Sequence, residues 1–420
     1  MLRIIGVLFL LSLLSSGCRK EKDETAPFID FISPNSGLTF FLPDTLSVNA
    51  TIEDDQQVQS VRLSLINSDA IAVGPSFTNT YSEQEVNFNV AFVIDDITLE
   101  SGPYSLQITA SDGENESKAF LPLTLIEVPR TLEGFMYGSL SGSQTQISYV
   151  LLTGEMETYV TDGGDYKVAI SQSDDRLFLS SDESTLSAFI YPNGFQGIWS
   201  LNLEDDAVIS DMDFDAHRNE LLVTIATDGV RIFSRNGSIV GSLPLEADEE
   251  ILDLASSDDE VWLSLRRNNG LQVLVTFFRD SGVRIEERLL SFQADILRFK
   301  SENELAMAVP SGDIKIFNVL TGGTTPIDVP GDEEIREMWG YLNELYILKG
   351  DEIYRLTAGQ QVQILYSGTA VSSIQIDEVN GRLYFIENDL LRVFNLFPWI
   401  EVGSESLMPN SEKLFLLYNR

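Results

Sequence analysis

The chain has 420 residues, of which 43% are hydrophobic, so it is long and apolar enough for two or three domains with buried cores and is not a disordered chain. Asp and Glu number 65 against 27 Lys and Arg, which gives a net charge of −38. This charge repels phosphate backbones, so we expect no nucleic-acid partner. Cys18 is the only cysteine, which excludes an intrachain disulfide and a cysteine-based metal site.

The N-terminus carries a targeting segment. The apolar run Ile4–Leu14 is shorter than the ~20 residues that cross a bilayer, and Ser16, Gly17 and Cys18 follow it. This arrangement resembles bacterial lipoprotein precursors. The resemblance implies a signal peptide over residues 1–17, lipid on Cys18, a flexible tether over 18–25, and an outer-membrane or cell-surface location with membrane contact only through the lipid. The alternative is an ordinary secretory signal with cleavage nearby.

Residues 26–128 form a candidate β domain. Runs of alternating apolar residues are separated by turn signals such as Ser101-Gly102-Pro103. The predicted strands are Phe28–Ile32, Leu46–Ile52, Val58–Ile66, Val86–Ile94, Tyr104–Ala110 and Ala119–Ile126. About a hundred residues with six or seven strands is the size of an immunoglobulin-like sandwich. The segment 102–113 resembles the late strands of bacterial immunoglobulin-like and cadherin-like modules.

A motif of one charged residue followed by three apolar residues recurs through the rest of the chain. Its copies begin at Arg176, Glu220, Glu260, Glu304, Glu344, Arg382 and Lys413. Successive starts are 44, 40, 44, 40, 38 and 31 residues apart. A strand repeat near forty residues predicts a β-propeller with one blade per repeat, here seven blades over residues 131–420. The predicted fold class is therefore all-β.

The seventh motif lies too near the chain end to be followed by the remaining strands of a blade. We therefore expect one blade to contain strands from both ends of the domain, which removes exposed sheet edges. Two arrangements are compatible with the apolar runs. The blade contains either two strands from each end, or one strand from the C-terminal end and three from the other end. The repeats resemble the broad group of bacterial propellers related to WD40 and YVTN repeats, although no Trp is followed by Asp.

Candidate site residues come from the innermost strands, which line the central channel of a propeller. An apolar residue precedes most motifs by six positions, so the residue before it should face the channel because side chains alternate. These positions are Ala169, Asp213, Asp253, Glu337, Gln375 and Ser406, with Arg298 in register in the shorter fifth repeat. Asp213, Asp253, Arg298 and Glu337 are thus candidate ligands for a cation or a small polar molecule, and solvated channel walls are the alternative.

Other catalytic or metal motifs are missing from the sequence. His217 is the only histidine and lies in a predicted turn. No recognisable motif supplies the other members of a histidine-based triad, and an HExxH zinc site, which needs two histidines, is not possible. The sequence predicts no cofactor, with calcium as the one metal left open. Glu53, Asp54 and Asp112 are candidate calcium ligands at one end of the sandwich, with turn formation as the alternative.

These features favour a non-catalytic, lipid-anchored envelope protein whose propeller binds a protein, a peptide or a glycan. The alternative hypothesis is a propeller enzyme, a hydrolase, lyase or lactonase, that uses channel carboxylates and a divalent cation. Fold alone does not separate the two, because propellers carry both roles.

Overall fold

We describe the protein from a computed structural model. The described residues are 25–68, 70–96, 99–162, 166–171, 175–180, 184–191, 194–203, 207–215, 218–226, 228–257 and 259–419. The chain divides into two compact units, Met1–Pro129 and Arg130–Arg420. Every regular element within the described ranges is a strand. No helix in this part of the chain is long and apolar enough to cross a membrane.

The first unit contains two sheets. Its strands are β1 (Phe28–Ser33), β2 (Leu38–Phe41), β3 (Asp44–Glu53), β4 (Ser60–Ile66), β5 (Ala72–Thr80), β6 (Glu85–Ile94), β7 (Gly102–Ser111) and β8 (Glu116–Ile126). One sheet has the order β1-β3-β6 and the other the order β2-β8-β7-β4-β5. β2 and β5 were not among the predicted strands; β2 is short, and β5 lacks a regular apolar alternation.

Alternating side chains of both sheets form one core. In β3, for example, Leu46, Val48 and Ile52 are buried while their neighbours are more exposed. They belong to the same buried cluster as Val61 of β4 and Ile108 of β7. The two sheets therefore share a single apolar core, and their strand pairs are antiparallel except for the parallel pair β2 and β8.

The second unit contains a series of antiparallel four-stranded sheets. Its strands are β9 (Leu132–Ser141), β10 (Gln144–Leu151), β11 (Met156–Asp162), β12 (Lys167–Ser171), β13 (Arg176–Ser180), β14 (Thr185–Ile190), β15 (Gln196–Asn202), β16 (Ile209–Asp215), β17 (Glu220–Ile225), β18 (Gly229–Ser234), β19 (Ile239–Pro244), β20 (Glu249–Ser256), β21 (Glu260–Arg267), β22 (Gln272–Phe278), β23 (Arg284–Leu290), β24 (Ile296–Ser301), β25 (Glu304–Ala308), β26 (Ile314–Asn318), β27 (Thr324–Ile327), β28 (Ile335–Tyr341), β29 (Glu344–Lys349), β30 (Glu352–Leu356), β31 (Val362–Ser367), β32 (Val371–Asp377), β33 (Arg382–Glu387), β34 (Leu390–Asn395), β35 (Ile400–Ser406) and β36 (Ser411–Tyr418).

Six of these sheets are formed by four consecutive strands each, from β12–β15 to β32–β35. The first six copies of the sequence motif begin the second strand of each of these sheets, at Arg176, Glu220, Glu260, Glu304, Glu344 and Arg382. Their apolar triplets are buried, because the second strand is covered on both faces by neighbouring sheets. First strands of successive sheets lie side by side, as in the pairs β12 and β16, β24 and β28, and β28 and β32. This is the arrangement of a β-propeller.

The remaining sheet has the order β11-β10-β9-β36, so one C-terminal strand joins three strands from the start of the unit. Lys413 is paired with Gly138 of β9. Of the two closures compatible with the apolar runs, this is the one that combines a single C-terminal strand with three from the other end. β36 packs beside β32 as a first strand, so the Lys413 motif itself lies in an innermost strand. Ser406 was misplaced for the same reason: it ends β35, the exposed outermost strand of the preceding sheet.

Candidate functional site

A cavity of about 380 Å³ lies at the centre of the second unit. Each innermost strand contributes to its wall. The contributing residues include Val168, Asp211, Leu254, Arg298, Trp339, Gln375 and Phe415, one from each of β12, β16, β20, β24, β28, β32 and β36. A second cavity of about 290 Å³ shares Asp211, Arg298, Trp339, Gln375 and Phe415 with the first, so the two are sections of one central channel.

Strand alternation explains which side chains face this channel. In β16, Asp211 and Asp213 are exposed to the channel while Met212 between them is buried in the core. Four innermost strands also contain a β-bulge near their beginning, next to Asp211, Asp253, Glu337 and Ser373. A bulge turns the strand locally and re-aims the side chain beside it.

The strand pairing defines two levels in the channel. The bulge tier contains residues that pair with the fifth residue of their second strand, namely Lys167, Asp211, Asp253, Ile296, Glu337 and Ser373. The middle tier contains those that pair with the third residue, namely Ala169, Asp213, Ala255, Arg298, Trp339 and Gln375. The members of the two tiers are two residues apart on each strand, so they lie on the same side of it. All of them except Lys167 and Ala255 line the channel.

The candidate residues, which were selected by their distance from each motif in the sequence, do not all lie at one level of the channel. Asp213 and Arg298 lie in the middle tier, whereas Asp253 and Glu337 lie in the bulge tier. The reason is hairpin length. Four residues lie between the paired Asp215 and Glu220, but only two lie between the paired Tyr341 and Glu344. A residue seven positions before the motif is therefore in the middle tier in β16 and in the bulge tier in β28. The residue of β16 at the level of Asp253 and Glu337 is Asp211.

Asp253 joins two neighbouring innermost strands. Its Oδ2 accepts a hydrogen bond from the backbone N–H of Leu297 in β24 at 2.6 Å. The same oxygen forms an ion pair with Arg298 Nη1 at 3.4 Å. Arg298 Nη1 also donates to the carbonyl of Leu297 at 2.6 Å. Asp253 therefore supports the packing of β24 against β20.

Glu337 makes the same kind of connection between β28 and β32. Its Oε2 accepts from the backbone N–H of Ile374 at 2.7 Å and from Ser373 Oγ at 3.2 Å. In both cases a bulge-tier carboxylate bonds a backbone N–H of the next innermost strand. A buried N–H needs such an acceptor, because leaving it unpaired costs about 1–3 kcal/mol.

The enclosed position of these carboxylates alters their acidity. Burial raises the pKa of Asp253 to about 7, although Arg298 and the Leu297 N–H act in the opposite direction. Burial likewise raises the pKa of Glu337 to about 7 against the hydrogen bond from Ile374. The pKa of Asp213 is raised too, first by burial and then by the charges of Asp211 and Asp215. Asp213 contacts channel water, but protein surrounds it closely enough to remove much of its hydration.

Arg298 is the cation at the centre of this group. Burial lowers its pKa, but the carboxylates of Asp253, Asp213 and Asp211 outweigh that effect and the pKa is raised. Arg298 therefore stays charged at any physiological pH. Its positive charge is what allows several carboxylates to line one channel.

Some channel residues were not among the sequence candidates. Asp211, Trp339 and Phe415 line both sections of the channel. Asp211 lies two residues from the candidate Asp213, and Trp339 lies two residues from the candidate Glu337. Strand alternation therefore could have identified both as channel residues. Phe415 had no such signal, because it lies within the seventh motif and the candidates were taken from the residues that precede each motif.

Two of the three candidate calcium ligands of the first unit, Asp54 and Asp112, accept local hydrogen bonds, and the third, Glu53, is the exposed last residue of β3. Asp54 Oδ1 accepts from the backbone N–H groups of Gln56 and Gln57 at 2.9 and 2.8 Å. Asp112 Oδ1 accepts from the N–H groups of Glu114 and Asn115, both at 2.6 Å. These contacts are those of turn-forming aspartates. Across the described residues, no group of three or more His, Cys, Asp or Glu side chains is arranged to hold a metal ion. Cys18 and His217 lie outside the described residues.

No protein-family model and no curated protein matches the sequence of this chain. Among solved structures, the chain is similar to the dihydro-heme d1 dehydrogenase NirN in complex with DHE, with 14% identity, a TM-score of 0.49, and coverage of 76% of this chain and 74% of NirN. It is similar to BamB from Moraxella catarrhalis, with 10% identity, a TM-score of 0.43, and coverage of 66% and 91%. It is also similar to the WD40 β-propeller domain of Doa1, with 11% identity, a TM-score of 0.47, and coverage of 63% and 96%. Because all three TM-scores lie below 0.5, the assignment of this chain as a β-propeller protein rests on its own sheets and central cavity.

Proposed function

We propose that this chain is a non-catalytic, lipid-anchored protein of the bacterial cell envelope. In this proposal lipid on Cys18 holds it at the outer membrane or cell surface, and an immunoglobulin-like sandwich over residues 26–128 serves as a spacer. A seven-bladed propeller over residues 131–420 then binds a protein, a peptide or a glycan. The seven-blade count is supported by the four-stranded sheets of the described residues and by one channel-lining residue from each innermost strand.

The observation that carries the non-catalytic proposal is the use made of Asp253 and Glu337. One oxygen of each carboxylate, Asp253 Oδ2 and Glu337 Oε2, accepts a hydrogen bond from a backbone N–H group of the neighbouring strand. This role in the scaffold supports binding by a rigid propeller over chemistry at these two carboxylates.

One observation favours the alternative of a propeller enzyme. The pKa values of Asp253 and Glu337 near 7 are suited to proton transfer at neutral pH. In this second candidate function a hydrolase, lyase or lactonase uses the channel carboxylates with a divalent cation such as calcium.

Two measurements on the full chain test these functions. Glycan and peptide arrays probed with the Cys18→Ser protein should yield a partner that is bound and recovered unchanged. Product formation from a bound compound that disappears in Asp253→Asn or Glu337→Gln would overturn the non-catalytic proposal. A thermal melt with calcium and with chelator provides the second measurement. A shift of several degrees in the wild type, lost in the triple variant Asp213→Asn, Asp253→Asn, Glu337→Gln, would support the enzyme alternative.

A further inference from the structure

β16 forms part of the wall of the 380 Å³ cavity, and two carboxylates lie on the face of this strand that lines the cavity. Asp211 and Asp213 are two residues apart, and both are exposed to the cavity. Like charges at this spacing raise the free energy of the site unless a cation lies nearby. Asp211 contributes to the raised pKa of Asp213, which is a sign of this repulsion.

Two described cations line this cavity, and both are already engaged. Arg298 forms the ion pair with Asp253 at 3.4 Å and donates hydrogen bonds to the carbonyls of Leu254 and Leu297. Its single positive charge is shared among Asp253, Asp213 and Asp211. Arg130 lies over the ring of Tyr418, 4.0 Å from its centroid. The carboxylates of Asp211, Asp213 and Glu378 outnumber these two guanidinium groups, so the cavity lining keeps a surplus of negative charge.

Aromatic rings from other strands line the same cavity. Trp339 of β28 and Phe415 of β36 are partly exposed there, with Gln375 of β32 as a further polar group. The faces of aromatic rings attract cations, and Trp does so most strongly. Carboxylates and aromatic faces in one enclosed space form a site for an organic cation, which offers both a charge and an apolar alkyl part.

We propose that this cavity binds a protonated alkylamine, either the side chain of a lysine in a partner peptide or a free amine of similar size. This inference rests on the proposed binding function and names the chemistry that the propeller would recognise. The volume of about 380 Å³ suits a group as large as a lysine side chain with its backbone. A bare metal ion fits less well, because no group of three or more ligating side chains is arranged for one in the part of the chain described.

Isothermal titration calorimetry on the full chain tests the proposal directly. The probes are Nα-acetyl-lysine amide and cadaverine, with the uncharged Nα-acetyl-norleucine amide, which lacks only the terminal amine, as the comparison. The wild type should bind at least one of the two amines and not the norleucine derivative. Binding of only the lysine derivative identifies a peptide as the source, and binding of cadaverine identifies a free amine. Equal affinity for the norleucine compound, or no binding of either amine, would overturn the proposal without any variant.

A pair of variants then locates the site. Asp211→Asn with Asp213→Asn should weaken amine binding about ten- to hundredfold, because charge-assisted hydrogen bonds are lost with little change of volume. Asp328→Asn with Asp332→Asn makes the same change of net charge at two exposed positions outside the cavity and should bind as the wild type does. Undiminished amine binding by the Asp211→Asn, Asp213→Asn variant would overturn the assignment. Calcium binding that this variant loses, but that the wild type and the Asp328→Asn, Asp332→Asn variant retain, would overturn it too. A peptide or glycan from the arrays that binds wild type and both variants equally would overturn this inference and leave the proposed function in place.

Discussion

The carboxylate of Glu337 accepts a hydrogen bond from the backbone N–H of Ile374 at 2.7 Å, across the boundary between two neighbouring sheets. Asp253 makes the equivalent bond to Leu297 at 2.6 Å. No main-chain ladder joins adjacent sheets of a propeller, so side-chain-to-backbone bonds of this kind and apolar packing hold the sheets together. The predictions below start from this relationship.

Replacing Glu337 by Ala should destabilise the second unit by about 1–3 kcal/mol, because the Ile374 N–H and the Ser373 hydroxyl lose their acceptor. Glu337→Gln keeps a side-chain oxygen in place and should cost less. Thermal melts of the two variants and the wild type measure the difference. If Glu337→Ala melts at the wild-type temperature, the bond between the sheets contributes nothing to stability.

Stability should depend on pH through Asp253 and Glu337. Their pKa values are raised from 3.8 and 4.5 to about 7, so the folded protein holds protons that the unfolded chain releases. Their contribution to the free energy of unfolding is therefore fully present below about pH 4 and is lost as the pH rises through about 7. The expected loss is on the order of a few kcal/mol over this range.

The measurement compares the wild type with the Asp253→Asn, Glu337→Gln double variant between pH 4 and pH 8. Other groups titrate in both proteins, so the difference between the two curves isolates these carboxylates. The stability of the wild type relative to the variant should fall as the pH rises. A difference that is constant with pH would show that neither pKa is raised in the folded protein.

Deleting β36 should cost more than its eight residues suggest. The strand covers the edge of β9 from Leu132 to Ser139, and its side chains Leu414, Leu416 and Leu417 are buried. Its loss exposes a long sheet edge and opens the series of sheets, so we expect aggregation or a large fall in melting temperature. A protein truncated after residue 410 that melts within ~2 °C of the full chain would contradict this, since ~2 °C corresponds to only about 1 kcal/mol in a domain of this size.

Cys18→Ser should release the protein from membranes. If Cys18 carries a thioether-linked lipid and an acyl chain, the anchoring is stable, whereas a single chain would bind only weakly. Membrane fractionation and mass spectrometry of the mature N-terminus check this. A mature wild-type protein that lacks Cys18 and any lipid would instead identify an ordinary secretory signal.

Local pattern in the sequence was sufficient to identify the repeated sheets of the second unit. The six motifs from Arg176 to Arg382 begin second strands because a buried central strand needs a continuous apolar run, and that requirement repeats with every sheet. Alternation along the innermost strands also directed Asp213, Asp253, Arg298 and Glu337 toward one channel, since the period of two is intrinsic to a strand.

Tertiary structure alone decided the levels of those residues and the closure of the sheets. Whether Asp211 or Asp213 lies level with Asp253 depends on the lengths of the hairpins that follow β16 and β20, which the motif spacing does not report. The pairing of Lys413 with Gly138 joins residues 275 positions apart (413 − 138), so no local pattern encodes it. The cavity between β16, β28 and β36 depends on all of these long-range contacts, because its wall takes single residues from strands that are distant in the sequence.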